Sequence, residues 1–345
     1  MRLSLLDVVP VRTGQNTAQS LSVAIETAQY ADQAGFHRYW LAEHHNSVAV
    51  GSTSPGVLAG ILASKTERIK LGAGGVMLPN HSPFVIAEQF ALLEAAFPGR
   101  IDLGLGRAPG SDPVITALLN RSGTTTDPGA FPRAVEELRM MLEPGGSVLQ
   151  LGDGREYHLA ATPEAAGRPG FWVLGSSESS AQLAAAEGLP YVFANHFGFA
   201  PPTAALARYR SEFKPSETLE APNAFVTAAA VAADTAEEAE ARALPQILQM
   251  AQRRLGAPQE KAFSVEEAAQ VTPSPDLAAM MAQIRRSWIV GTGDQVAAGI
   301  RDLAETHQVE EIMLSTWVSE DEGTDPETAP ARLRSFELIA ERLLG

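Results

Sequence analysis

The sequence predicts an α/β fold of the (β/α)8 barrel (TIM barrel) class. Short apolar runs alternate with longer helical stretches along the chain, the signature of a parallel sheet with crossover helices. Eight such runs can be counted, and eight favours a closed barrel over an open sheet, because closure removes both edges. At 345 residues the chain fits one barrel carrying insertions.

The expected strands cover 3–6, 38–42, 69–76, 101–105, 171–174, 191–194, 225–231 and 312–315. The first helix, 17–34, places Leu21, Ile25, Ala28 and Ala31 on one face and stops at Gly35. Helices at 55–64 and 83–96 open on Pro55 and Pro83, where the missing N–H costs little. Two more helical segments fall near 112–120 and 130–142. The Gly- and Pro-rich stretch 144–170 fits an insertion holding a small hairpin. The stretch 252–290 is too long for a simple connection, and it reads equally as a lid or a surface elaboration. The whole of 1–345 is expected to be a single domain.

Composition narrows the function classes. There is no cysteine, so disulfides, thiolate metal sites and a Cys nucleophile are excluded. The formal charge of −15 and pI near 4.9 argue against nucleic acid or anionic lipid as a partner. The acidic run at 235–242 reads as a solvated helix face. No stretch nears the roughly 20 apolar residues of a membrane helix, and the start lacks a signal-peptide pattern, so a cytoplasmic protein is expected.

In a barrel the chemistry lies just after the C-terminal ends of strands. The second strand ends in Glu43-His44-His45-Asn46, a costly concentration of polar groups unless used. Neighbours on an extended chain point to opposite sides, so His44 and His45 do not readily share a metal, and no zinc spacing is present. One imidazole is expected to face the cavity as acid or base, the other to be held by Glu43 or a backbone carbonyl.

The third strand carries Gly74-Gly75. Consecutive glycines in a strand mark close approach to a backbone or to a ligand, and a flat ring or tight barrel packing explains them equally. After the fourth strand, Gly104-Leu-Gly106-Arg107-Ala-Pro109-Gly110 fails the dinucleotide pattern. Arg107 reads better as an anion ligand. The fifth strand runs into Gly175-Ser176-Ser177-Glu178-Ser179-Ser180 at a helix start. More hydroxyls stand there than one cap needs, which points to an anion site, although Glu178 would oppose an anion if it faced inward.

Together, GFHRYWLAEHHN (35–46), MLPNHSP (77–83), DLGLGRAPG (102–110), VLGSSESSAQLAAAEGLP (173–190) and VGTGDQVAAGI (290–300) make the chain resemble the bacterial-luciferase-like flavin-dependent monooxygenases over nearly its whole length. The resemblance implies that His44 lies beside the flavin, supported by Glu43 and His45. It also implies a non-prolyl cis peptide at Gly74-Gly75 under the isoalloxazine ring. Arg107, Gly175, Ser176, Ser177 and Ser180 fall on the FMN phosphate site, and Asn195 and His196 lie near flavin or substrate. Luciferase's reactive Cys is replaced by Gly106, which argues against light emission. The implied reaction uses reduced FMN from a separate NAD(P)H:flavin reductase and O2 to hydroxylate or epoxidise a small-molecule substrate. Similarity to members of aromatic polyketide pathways would make that substrate polycyclic. A homodimer is expected; the apolar helical stretches 57–62 and 85–96 suit its interface and equally suit packing onto the barrel. Two alternatives stand: an F420-dependent hydride-transfer enzyme, and a non-catalytic flavin-binding partner subunit.

Overall fold

The computed structural model describes residues 1–125, 127, 129–164 and 167–345. Its strands are β1 Arg2–Asp7, β2 Arg38–Leu41, β3 Lys70–Met77, β4 Ile101–Gly106, β5 Ser147–Gln150, β6 Glu156–Leu159, β7 Gly170–Gly175, β8 Tyr191–Phe193, β9 Ala224–Ala233, β10 Trp288–Thr292 and β11 Glu311–Ser315. Eight of them close a parallel ring in the order β1-β2-β3-β4-β7-β8-β9-β11, with β11 pairing back to β1. These eight are the strands expected from the apolar runs. The antiparallel pair β5–β6 stands outside the ring, within the Gly- and Pro-rich insertion.

The helices begin and end where local chemistry dictates. In the helix Thr17–Ala34, Asn16 and Gln19 form a reciprocal capping box, and Gly35 at φ +85° donates its N–H to Ala31 O. Ala24, Ala28 and Ala31 bury against the strands. The helix Pro83–Ala96 buries Ile86, Ala87, Phe90 and Ala91 on one face. Each large side chain buried in this way contributes about 1.5–3 kcal/mol.

The N-terminal end of the barrel is sealed by charge and aromatic rings. Arg38, at the start of β2, donates from Nε to Glu311 Oε1 (2.7 Å) and from Nη1 to Asp102 Oδ2 (2.6 Å). Trp40 Nε1 adds a 2.9 Å bond to the same Asp102 oxygen. The guanidinium carbon sits 4.7 Å from the Trp172 ring centre, and Trp172 meets Phe225 at 4.9 Å. Burying these charges is costly, and the multiple hydrogen bonds offset the cost. With this end filled, open space remains at the opposite, C-terminal mouth.

The stretch 252–290 contains the last turn of the helix Ala236–Arg254, two short helices and β10, which pairs with the C-terminal half of β9. Ala262 exchanges backbone hydrogen bonds with Val11 and Thr13, and Lys261 Nζ reaches Gln15 O at 2.6 Å, so this segment is fastened across the mouth. No helix among the described residues is long and apolar enough to cross a membrane.

Candidate active site

Past the C-terminal ends of the barrel strands lies a cavity of about 610 Å³. Its walls come from the ends of β1, β2, β3, β4, β7, β8, β9 and β11, with one side closed by the last turns of the helix Ala236–Arg254 and the segment after it.

The turn after β2 is held open by the backbone. His44 N–H donates to Ser52 O (2.9 Å) and His45 N–H to Gly110 O (3.0 Å), which ties this turn to the one after β4. Gly110, at φ +63°, is needed there, because a Cβ would come within 2.7 Å of Glu43 O. His44 lines the cavity, while its Nδ1 is buried and makes no hydrogen bond among the described residues. Burial holds its imidazole below the usual histidine value. The positive charge of Arg253 lowers it further, while Glu43 opposes the shift.

Glu43 turns the other way and is fully buried. Its Oε1 meets His45 Nε2 and His81 Nε2, both at 2.8 Å, and its Oε2 accepts from Met77 N–H at 3.0 Å. Asn80 Nδ2 is a longer contact at 3.3 Å. Burial alone would raise this carboxyl, but the bonds from His45, His81 and Met77 outweigh it and bring the group down to about 2. Glu43 is therefore a fixed anion behind the wall, and His45 is the imidazole it holds. Neither lines the cavity.

Gly74 and Gly75 line the cavity with bare backbone, and the peptide between them is cis. A Cβ on Gly74 would approach Leu6 Cδ1 (2.8 Å) and Trp40 Cε3 (2.9 Å). One on Gly75 would approach Gly104 O (2.8 Å) and Gly106 N (3.1 Å). Tight barrel packing thus demands both glycines, and the same pair presents a wall without side chains to the cavity.

Arg107, Gly175, Ser176, Ser177 and Ser180 also line the cavity. Arg107 Nη2 lies 3.3 Å from Ser179 Oγ and has no acidic partner among the described residues. Ser177 is the N-cap of the helix Glu178–Ala186, yet its hydroxyl makes no cap bond and contacts Ser179 Oγ at 2.9 Å instead. The first N–H groups of that helix, the Ser hydroxyls and the guanidinium bring hydrogen-bond donors together at this part of the cavity. Glu178 does not join them, because it pairs with Arg208 (3.3 Å) and is not among the lining residues. Ser180 Oγ is partly used, donating to Ser177 O at 2.7 Å.

His196 is buried and lines the cavity, with Nδ1 2.6 Å from Thr227 Oγ1. Burial, then the neighbouring His44, push its imidazole down to about 3, so it is neutral at physiological pH. Asn195, expected near flavin or substrate, does not line the cavity. It shares the 3-10 turn Asn195–Phe197, which turns His196 inward onto Thr227 and leaves Asn195 off the cavity wall. Sequence reasoning also missed His81, which lies within the quoted 77–83 stretch, and Arg253, which lies inside the stretch regarded only as a lid or elaboration.

The fold and this arrangement define a barrel enzyme whose mouth joins a cluster of hydrogen-bond donors, a wall of bare backbone and a neutral imidazole. A model of the luciferase-like monooxygenase family matches residues 1–308, and the chain belongs to that family. It is 41% identical over 339 residues to the uncharacterized protein YvbT of Bacillus subtilis, covering 98% of this chain and 96% of that one. It is 39% identical over 347 residues to a luciferase-like monooxygenase of Escherichia coli, covering 99% and 98%. An N-acetyl-S-alkylcysteine monooxygenase of Bacillus subtilis is 31% identical over 354 residues, covering 100% and 99%. Among solved structures, apo-MsnO8 superposes with TM-score 0.85 at 31% identity, covering 99% and 98%. The barrel alone is shared with an F420-dependent secondary alcohol dehydrogenase (TM-score 0.65, 15% identity, covering 98% and 97%).

Proposed function

We propose that the protein is a two-component monooxygenase that takes reduced FMN from a separate NAD(P)H:flavin reductase and uses O2 to oxygenate an organic substrate. One observation carries this reading: the Arg107–Ser176–Ser177 anion cradle, the side-chain-free Gly74-Gly75 wall and His44 all face one cavity. A flavin phosphate suits the cradle and a flat ring suits the glycine wall. When bound, reduced FMN would supply the oxygen-activating chemistry, and the protein would supply position and surroundings.

On this reading Arg107, the Ser hydroxyls and the N–H groups at the start of the helix Glu178–Ala186 hold the phosphate. His44, whose imidazole burial and Arg253 hold below its usual value, lines the cavity as the group that takes or gives a proton there. His196, held by Thr227, offers a second imidazole. Leu6, Val8, Leu174, Met250 and Trp317 keep the reacting space apolar, which limits water. The full-length similarity to N-acetyl-S-alkylcysteine monooxygenase supports oxygenation of a small organic molecule.

F420 is the rival cofactor, and it would make the reaction a hydride transfer. Titration of the protein with FMN and with F420, followed by flavin fluorescence, separates the two. Tight FMN binding with weak F420 binding is expected; the reverse order would replace the oxygenase reading.

We also propose a homodimer. The helices Pro55–Ala63 and Pro83–Ala96 bury one face on the barrel and still expose Val57 (64%), Val85 (47%) and Leu92 (56%) on the other. Such apolar faces suit association. Sedimentation should give twice the chain mass, and Leu92→Glu should shift it to the monomer.

A further inference from the structure

The cavity carries a second cation that the flavin reading does not use. Arg253 lies in the last turn of the helix Ala236–Arg254 and lines the cavity, where its charge acts on His44. Its guanidinium has no hydrogen bond or ion pair among the described residues. Its neighbour Arg254, in contrast, donates to Phe197 O and lies 4.7 Å over the Phe199 ring. Gln246, Gln252 and Gln259 line the same cavity, and their side chains also make no hydrogen bond among the described residues. Arg107 and Arg253 face the cavity against one lining carboxylate, Glu260, which forms no ion pair with either. In a chain of net charge −15, this makes the cavity a local exception. The Arg253 side chain is exposed to the cavity, and a guanidinium with open donors there, in a cavity that also holds unpaired amides, suits an oxyanion. The flavin carries one phosphate group, and the Arg107–serine cradle takes it.

We propose that Arg253 binds a carboxylate of the organic substrate, so that the enzyme selects acids over neutral molecules and brings them beside His44. The apolar part of the substrate packs against Met250 and Trp317, which share the cavity. This rests on the reading that the cavity holds a flavin phosphate at Arg107.

The test is a binding titration of the protein–FMN complex with aryl and alkyl thioether acids, such as (benzylthio)acetate, each paired with its methyl ester. Acids should bind at least about tenfold tighter than their esters in the native protein, the scale of a charge-assisted hydrogen bond. Arg253→Gln should abolish the difference while FMN affinity stays within about twofold, and Arg253→Lys should restore part of it. Equal binding of acids and esters, no binding of any acid, or an acid preference that survives Arg253→Gln would overturn the proposal. FMN affinity, read in the same samples, keeps the two questions apart. Failure of the native protein to bind FMN refutes the flavin reading, whereas normal FMN binding without acid preference refutes only this inference. A large loss of FMN affinity in Arg253→Gln would place the phosphate at Arg253 and also overturn the proposal.

Discussion

Glu43 and His45 are joined by a 2.8 Å bond from imidazole Nε2 to carboxylate Oε1, and His81 reaches the same oxygen at the same distance. Two imidazoles and the Met77 N–H thus converge on one buried carboxylate directly behind the residue that faces the cavity. The arrangement ties the end of β2 to the end of β3 and fixes where His44 stands.

This network makes an acid-side stability prediction. The Glu43 carboxyl sits at about 2 in the fold, below its unfolded value near 4.5. Its contribution is therefore complete above about pH 4.5 and is lost as the pH falls toward 2. Glu43→Gln should cost a few kcal/mol at pH 7, as loss of a buried hydrogen-bonded charge does. Thermal unfolding of both proteins from pH 7 to 3 checks it: the gap should narrow on acidification. A gap independent of pH would mean that Glu43 is not held ionised.

His44→Ala should leave FMN affinity nearly intact and reduce substrate oxygenation by roughly 100-fold, the usual effect of losing an acid–base group. Because burial and Arg253 hold this imidazole below its ordinary value, the native pH–rate profile should lose activity only below about pH 6.5. Arg253→Gln removes one of the causes and should move that acid limb to higher pH. His45, Glu43 and His196 also surround the group, so His45→Gln serves as a comparison. An acid limb that stays in place in Arg253→Gln would contradict the assignment to His44.

Arg107→Ala should weaken FMN binding by about 1–3 kcal/mol, the scale of a charge-assisted bond. Riboflavin, which lacks the phosphate, should bind the native and variant proteins alike. Fluorescence titration with both ligands checks this, and an equal loss for riboflavin would relocate the phosphate.

Gly75→Ala should destabilise the barrel by about 1–3 kcal/mol, because its Cβ would meet Gly104 O at 2.8 Å and β4 backbone must shift. Chemical denaturation reads the cost directly. A neutral substitution would mean that β3 and β4 separate more easily than their pairing suggests.

Much of this was legible in the sequence because the barrel repeats one local rule. Apolar runs such as Leu103 and Leu105, or Val226 and Ala228, mark strands, and polar clusters after Leu41 and Gly175 mark the mouth. What escaped depends on pairs distant along the chain. Nothing in the sequence signals that Arg38 will be buried between Asp102 and Glu311. Glu43 carries no sign that His81, 38 residues away, will be its partner. Arg253 belongs to an ordinary amphipathic helix, and only the closing of β9 onto the ring brings its last turn to the cavity. Asn195 and His196 are adjacent in sequence, yet the tight turn they share brings only His196 to the cavity wall.

The most direct test of the central reading is rapid mixing of the protein with reduced FMN against O2-saturated buffer, followed by absorbance. The account predicts a transient species, distinct from both reduced and oxidised FMN, that outlives its counterpart in free flavin and decays faster in His44→Ala. Direct conversion to oxidised FMN at the rate of the free flavin, with no transient and only peroxide formed, would contradict it.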